Sequence, residues 1–104
     1  MTAPNRNVLW GRTLVTELAA AGVDTFVVAP GSRSTPLAVA AAEHEAVDDL
    51  SILEERSAAY FALGRAKRTG VPVPVVTTSG TATANLHPAV VEADRARVPM
   101  VLLT

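Results

Sequence analysis

Short valine- and leucine-rich runs alternate with alanine-rich stretches of helical period along almost the whole chain. The runs lie in Thr25–Ala29, Leu50–Leu53, Val71–Thr77 and Val98–Thr104. A mostly apolar run without polar alternation suits a strand covered on both faces. Between them, helices are predicted over Asn7–Ala21, from Thr35-Pro36 to about His44, over Ser57–Arg68, and from about Thr81 onward. The order is therefore α-β-α-β-α-β-α-β. Parallel strands joined by right-handed helical crossovers satisfy that order. The predicted class is α/β, with a doubly wound, mostly parallel sheet. Nineteen alanines and fifteen valines, against only Trp10, Phe26, Tyr60 and Phe61 as aromatics, suit helices packed closely over such a sheet.

Local signals set the expected boundaries. Leu14, Leu18 and Ala21 recur at helical spacing, and Gly22 is a stop signal. Thr35-Pro36 reads as an N-cap followed by proline at the first helical position. Asp48-Asp49 reads as a polar turn. Ala58, Phe61, Ala62 and Arg65 fall on one face of the third helix, which Thr69-Gly70 ends. Pro72 and Pro74 blur the start of the third strand. Pro88 predicts a kink in the fourth helix or its division into two.

With 104 residues, the chain has room for one domain. It closes on a buried-type strand, so the expectation is a partial domain over 1–104 whose sheet continues in further sequence. Nine basic residues against ten acidic ones give a net charge of −1, without the basic excess that general nucleic-acid binding needs. The absence of cysteine removes disulfides, thiolate catalysis and Cys-zinc sites, and suits a cytoplasmic location. The longest apolar run, Pro36–Ala42, is far short of a membrane span. Met1–Arg12 carries Asn5, Arg6, Asn7 and Arg12 where a secretory segment needs an apolar stretch.

In open parallel sheets, ligands bind beyond the carboxyl ends of the strands. Three unusual segments follow the first three strands and so converge on one edge. Pro30-Gly31-Ser32-Arg33-Ser34-Thr35-Pro36 offers a glycine turn, hydroxyls, helix-terminal amides and a guanidinium that can grip a carboxylate with paired hydrogen bonds. The same residues also suit a helix cap with a solvated arginine. Glu54-Glu55-Arg56 places two carboxylates after an apolar strand; one of them could sit in a cleft and carry a proton, or both could open a helix. Thr78-Ser79-Gly80-Thr81 suits a cradle for a phosphate or heterocycle, or a plain capped strand-to-helix turn. No Gly-Lys-Ser/Thr, G-x-S-x-G or G-x-G-x-x-G pattern accompanies it, so Ser79 is not expected to be a nucleophile. His44 and His87 are isolated and are expected in surface or packing roles.

Phe26 through Leu37, Glu55-Arg56 before an alanine-rich helix, and Thr78 through Ala82 with Asn85-Leu86 and Pro88-Ala89-Val90 resemble the pyrimidine-binding domain of thiamine-diphosphate enzymes. The Pro-Gly-Ser-Arg-Ser-Thr-Pro-Leu segment is the most specific stretch. It is similar to the branch of that family that joins 2-oxoglutarate to isochorismate in menaquinone biosynthesis. The resemblance runs from about Asn7 to Thr104, the front of a much longer protein's first domain. It implies that Glu55 contacts the pyrimidine ring nitrogen and acts as proton relay, and that Thr78, Ser79 and Gly80 form the pyrimidine pocket. Ser32 and Arg33 match the site for the substrate carboxylate. The implied reaction decarboxylates 2-oxoglutarate and adds the resulting carbanion to isochorismate. The implied cofactors are thiamine diphosphate and Mg2+, with the magnesium ligands in a later domain and no metal site in this chain. The resemblance also implies a homodimer or homotetramer with the active site between subunits, and an isolated chain without activity. Arg56 either orients the glutamate or meets a neighbouring subunit. Arg97 lies at the wrong end of its strand for catalysis; a surface role is expected, or else a site for an acidic effector. Two other readings stay open: another thiamine-dependent keto-acid decarboxylase or acetolactate-type synthase, which usually has Pro-Gly-Gly where this chain has Pro-Gly-Ser-Arg, and a non-catalytic association module built on Ala58–Gly64.

Overall fold

The computed structural model describes residues 5–104. Of the segment read against a secretory leader, Met1–Pro4 lie outside the described residues. Strands β1 (Thr25–Val28), β2 (Asp48–Ser51), β3 (Val75–Val76) and β4 (Leu102–Leu103) form one sheet in the order β2-β1-β3-β4, with every pairing parallel. Val27 pairs with Leu50 on one side and with Val75 on the other. The helices are α1 (Arg6–Ala20), α2 (Thr35–Glu43), α3 (Glu55–Thr69), α4 (Thr81–Ala84) and α5 (His87–Ala96). Ser32–Ser34 form a single tight 3-10 turn ahead of α2.

Two apolar clusters show that the sheet is covered on both faces. Phe26, Val28 and Val76 pack with Val15 of α1 and Ala40 and Ala41 of α2. Val27 and Val75 point the other way and pack with Ala58, Ala59 and Ala62 of α3 and Ala89 of α5. This division follows from topology. The chain leaves β1 toward β2 through α2, then returns past β1 to β3 through α3. Right-handed crossovers running in opposite directions place their helices on opposite faces. The winding direction reverses between β1 and β3, which makes their carboxyl ends the crevice where such sheets bind ligands.

Most elements follow their local chemistry. Asn5 Oδ1 accepts from the Val8 amide at 2.9 Å and starts α1. Gly22, at φ 106, provides the left-handed turn after it. Gly70, at φ 79, does the same after α3. Pro88 divides the fourth helical segment into α4 and α5, as expected, and stands in the first turn of α5, where a missing amide costs nothing.

Several expectations are corrected. Asp48-Asp49 is not a turn: both residues lie in β2, which ends at Ser51 rather than Leu53. β2 is the sheet edge and all four of its residues are exposed, so no apolar run marks it. Pro72 and Pro74 leave only Val75–Val76 in β3. On α3 the inward face is Ala58, Ala59, Ala62, Leu63 and Ala66, while Phe61 is 41% exposed and Arg65 lies off that buried face. Small side chains let this helix approach the sheet, and an aromatic ring on that face would hold it off. On α1, Gly11 and Val15 are buried and Leu18 is half-buried, whereas Ala21 is exposed.

Candidate functional site

The three loops expected to carry chemistry all leave the carboxyl edge of the sheet. β1 ends beside β2 and β3, where the Ile52 amide donates to Val28 O at 3.0 Å and the Ala29 amide to Val76 O at 2.9 Å. The Thr77 amide bonds Leu103 O at 3.0 Å and fixes the start of the third loop.

In the first loop, the cap lies one residue earlier than Thr35. Ser34 occupies the N-cap position, and its side chain makes no capping bond. Ser34 Oγ donates back to Gly31 O and Thr35 Oγ1 to Ser32 O, each at 2.9 Å, so both hydroxyls tighten the 3-10 turn. The amides opening α2 therefore have no side-chain acceptor. Ser34 is buried; Ser32 and Arg33 beside it are exposed. Gly31 is extended, at φ −170 and ψ 153, so backbone conformation does not demand a glycine there. Space does: a Cβ on Gly31 would lie 2.5 Å from Thr78 Cβ. The first and third loops are thus in direct contact.

In the third loop, the glycine serves the backbone. Gly80 stands at φ 84 and ψ −138, a conformation open essentially to glycine alone, and nothing lies within 4 Å of where its Cβ would be. Thr83 Oγ1 donates to Gly80 O at 2.7 Å. Ser79 and Gly80 are exposed and Thr78 is half-buried. The result is an open stretch of backbone at the crevice between β1 and β3. Gly80 puts no side chain in the way of a ligand approaching this backbone.

In the second loop, the two glutamates separate in role. They do not alternate along a strand; they begin a helix. Glu54 is the N-cap of α3 and accepts from the Arg56 amide at 2.7 Å, the Ser57 amide at 3.3 Å and Ser57 Oγ at 3.0 Å. The Arg56 amide, first among these partners, holds its carboxyl below the ordinary value of 4.5. Arg56 Nε approaches the same carboxylate at 3.8 Å, with both side chains exposed. Arg56 therefore leans on Glu54 rather than on Glu55. Glu55, the first residue of α3, is half-buried and takes no part in these bonds. The charged helix start is real, and it uses the Glu54 carboxylate alone.

Several cavities adjoin the first loop. Arg33 lines a groove of 470 Å³ with Trp10, Leu14 and Leu37, and the indole of Trp10 is 67% exposed. Gly31 lines a pocket of 270 Å³ with Thr35, Asp49 and Ser51. Glu55, Thr78, Ser79 and Gly80 line neither. The structure joins Gly31 to Thr78; among the described residues no side-chain hydrogen bond or ion pair links Arg33 or Glu55 to the third loop. Sequence reasoning misses Trp10 beside Arg33, and it misses Asp49 because an Asp-Asp pair suits a turn. The helical repeat of α1 gives no sign of the first neighbour, and both proximities arise from packing.

His44 Nδ1 accepts from the Ala46 amide at 3.2 Å, a local turn contact. Arg97 ends α5 in the left-handed region at φ 58. Among the described residues, no group of three or more His, Cys, Asp or Glu could hold a metal ion, and no helix is long and apolar enough to cross a membrane.

Comparison with known proteins places the chain in a family. The family model described as thiamine pyrophosphate enzyme, N-terminal TPP binding domain, matches residues 10–104. A protein of Natronomonas pharaonis named 2-succinyl-5-enolpyruvyl-6-hydroxy-3-cyclohexene-1-carboxylate synthase is 67% identical over 104 residues, all of this chain and 18% of that protein. Proteins of the same name from Haloquadratum walsbyi and Microcystis aeruginosa are 65% and 56% identical, over 100% and 96% of this chain and 17% and 18% of their own lengths. The chain thus spans less than a fifth of the length of these relatives. With a doubly wound parallel sheet and a match over residues 10–104, the chain belongs to the thiamine pyrophosphate enzymes, as their N-terminal TPP-binding domain.

Proposed function

We propose that this chain is the pyrimidine-binding portion of an enzyme that decarboxylates 2-oxoglutarate and adds the resulting carbanion to isochorismate, yielding the product for which its relatives are named. The observation that carries this reading is the placement of Arg33, Glu55 and Ser79 in segments that all follow the carboxyl edge of one parallel sheet. When bound, thiamine diphosphate supplies the electron sink for carbanion chemistry; the protein supplies binding, orientation and proton transfer.

The residues divide as follows. Thr78, Ser79 and Gly80 hold the pyrimidine ring. Glu55 carries a proton at the ring nitrogen. Its half-buried place at the start of α3 suits this, because its neighbour Glu54 already satisfies the helix amides. Ser32 and Arg33 bind a carboxylate of the acid substrates, and the exposed guanidinium is suited to a two-bond grip. Mg2+ and the diphosphate are held by regions of the protein outside this chain. The active assembly is a homodimer or homotetramer with the site at the subunit interface, and the isolated chain is inactive.

The test is carbon dioxide release by the complete gene product, supplied with isochorismate, 2-oxoglutarate, thiamine diphosphate and Mg2+. Turnover that requires isochorismate as well as 2-oxoglutarate is the expected result. Turnover of pyruvate or another keto acid, with none of isochorismate, would assign the protein to the acetolactate-type or simple decarboxylases instead.

A further inference from the structure

We infer that Gly31 is a positioning residue: its missing side chain lets the loop bearing Ser32 and Arg33 seat directly on Thr78, and so sets the spacing between the acid-binding and pyrimidine-binding halves of the site. The inference rests on the residue roles proposed above.

Gly31 has an extended backbone that any residue adopts. Only the neighbouring atoms exclude a side chain. A Cβ there would lie 2.5 Å from Thr78 Cβ, 2.9 Å from its Cγ2 and 3.4 Å from its Oγ1. Rotation of Thr78 relieves the second and third of these distances but not the first, because Cβ is fixed to the backbone. Neither loop can withdraw freely. Gly31 O accepts both the Ser34 amide at 3.2 Å and Ser34 Oγ at 2.9 Å, and Ser34 is buried. On the far side, Thr77 is buried, its amide bonds β4, and its Oγ1 donates to Thr78 O at 3.0 Å. A methyl at position 31 must therefore push apart a pair of anchored loops.

The separation would fall at the reversal point between β1 and β3. One loop leads there into α2 on one face of the sheet, and the other, by way of α4, into α5 on the opposite face. Arg33 is two residues beyond Gly31, and Ser79 and Gly80 directly follow Thr78. A shift at the contact thus moves the carboxylate grip relative to the ring cradle. Misplacement of about 1 Å can cost on the order of 100-fold in rate.

The experiment is a double-variant cycle in the complete gene product: Gly31→Ala, Thr78→Gly, and both together, each compared with the unchanged protein. Thiamine diphosphate affinity is measured by titration in the presence of Mg2+, and KM for 2-oxoglutarate beside it. With Thr78 present, Gly31→Ala should weaken cofactor binding by about tenfold or more and raise KM; in the Thr78→Gly background, the same methyl should change both by less than about twofold. An equal loss in both backgrounds, or no loss with Thr78 present, overturns the inference. Should Gly31→Ala alone not fold, the double variant is compared with Thr78→Gly: equal cofactor affinity supports the inference, and a double variant that does not fold overturns it. Cofactor titration needs no turnover, so inactivity toward isochorismate would reject the proposed reaction while the coupling of positions 31 and 78 is still decided.

Discussion

β1 and β2 are hydrogen-bonded neighbours in register, with Phe26 opposite Asp49 and Val27 opposite Leu50, yet they differ sharply in surroundings. All four residues of β1 are buried and all four of β2 are exposed. The central strand has helices over both faces and a strand on each side. The edge strand has one open side, and its two aspartates discourage pairing with another chain. The site draws on both. Gly31 and Gly80 follow the buried strands β1 and β3 and are held to a fixed geometry. Glu54 and Glu55 follow the exposed strand β2, Glu54 exposed to water and Glu55 half-buried. On the proposed reading, rigid spacing comes from the middle of the sheet and the proton-carrying carboxylate from its margin.

That contrast can be broken from either side. The largest effect is expected at the centre. Phe26→Ala removes a fully buried ring and should destabilise the fold by about 3–5 kcal/mol in urea or thermal unfolding. Next comes the cradle: Gly80→Ala forces a side chain into a glycine-only conformation, at about 1–3 kcal/mol, and should weaken thiamine diphosphate binding in the same samples. Smaller still is the cap at the margin. Glu54 has a folded pKa below its ordinary value of 4.5, so its stabilisation is present above that value and is lost as pH falls through the lower folded one. Glu54→Gln should therefore lower the melting temperature slightly near neutral pH, and the difference should vanish in strong acid. The smallest effect on stability is expected at the edge strand. Asp49→Thr should stay within about 0.5 kcal/mol, while sedimentation should detect more self-association. A Phe26→Ala loss no larger than that of Asp49→Thr would erase the distinction between centre and edge.

The same contrast explains what is legible in the sequence. Thr25–Val28 is readable because burial on both faces leaves an apolar run. Asp48–Ser51 reads partly as a turn because an edge strand needs no such run, and its aspartates resemble turn residues. Pro88 is readable because a proline's missing amide acts locally. The inward face of α3 is misjudged at Phe61 and Arg65, since close approach to a sheet selects Ala59, Leu63 and Ala66 instead, and helical period alone does not choose between faces. At the site, the convergence of three loops on one edge follows from parallel topology, and the family resemblance from the motifs in those loops. The Gly31–Thr78 contact is not legible. It joins residues distant in sequence, and the glycine answers to a neighbour rather than to its own backbone. Which of two adjacent glutamates caps the helix is likewise settled only by the hydrogen bonds of Glu54.

Those two glutamates give the most direct test of the account. In the complete gene product, Glu55→Gln and Glu54→Gln are compared for carbon dioxide release with isochorismate and 2-oxoglutarate at saturating thiamine diphosphate and Mg2+. The account predicts that Glu55→Gln lowers the rate by about 100- to 10,000-fold, the range of general acid–base catalysis, while Glu54→Gln keeps most of it. A Glu55→Gln variant as active as the native protein, or a greater loss at Glu54, would contradict it.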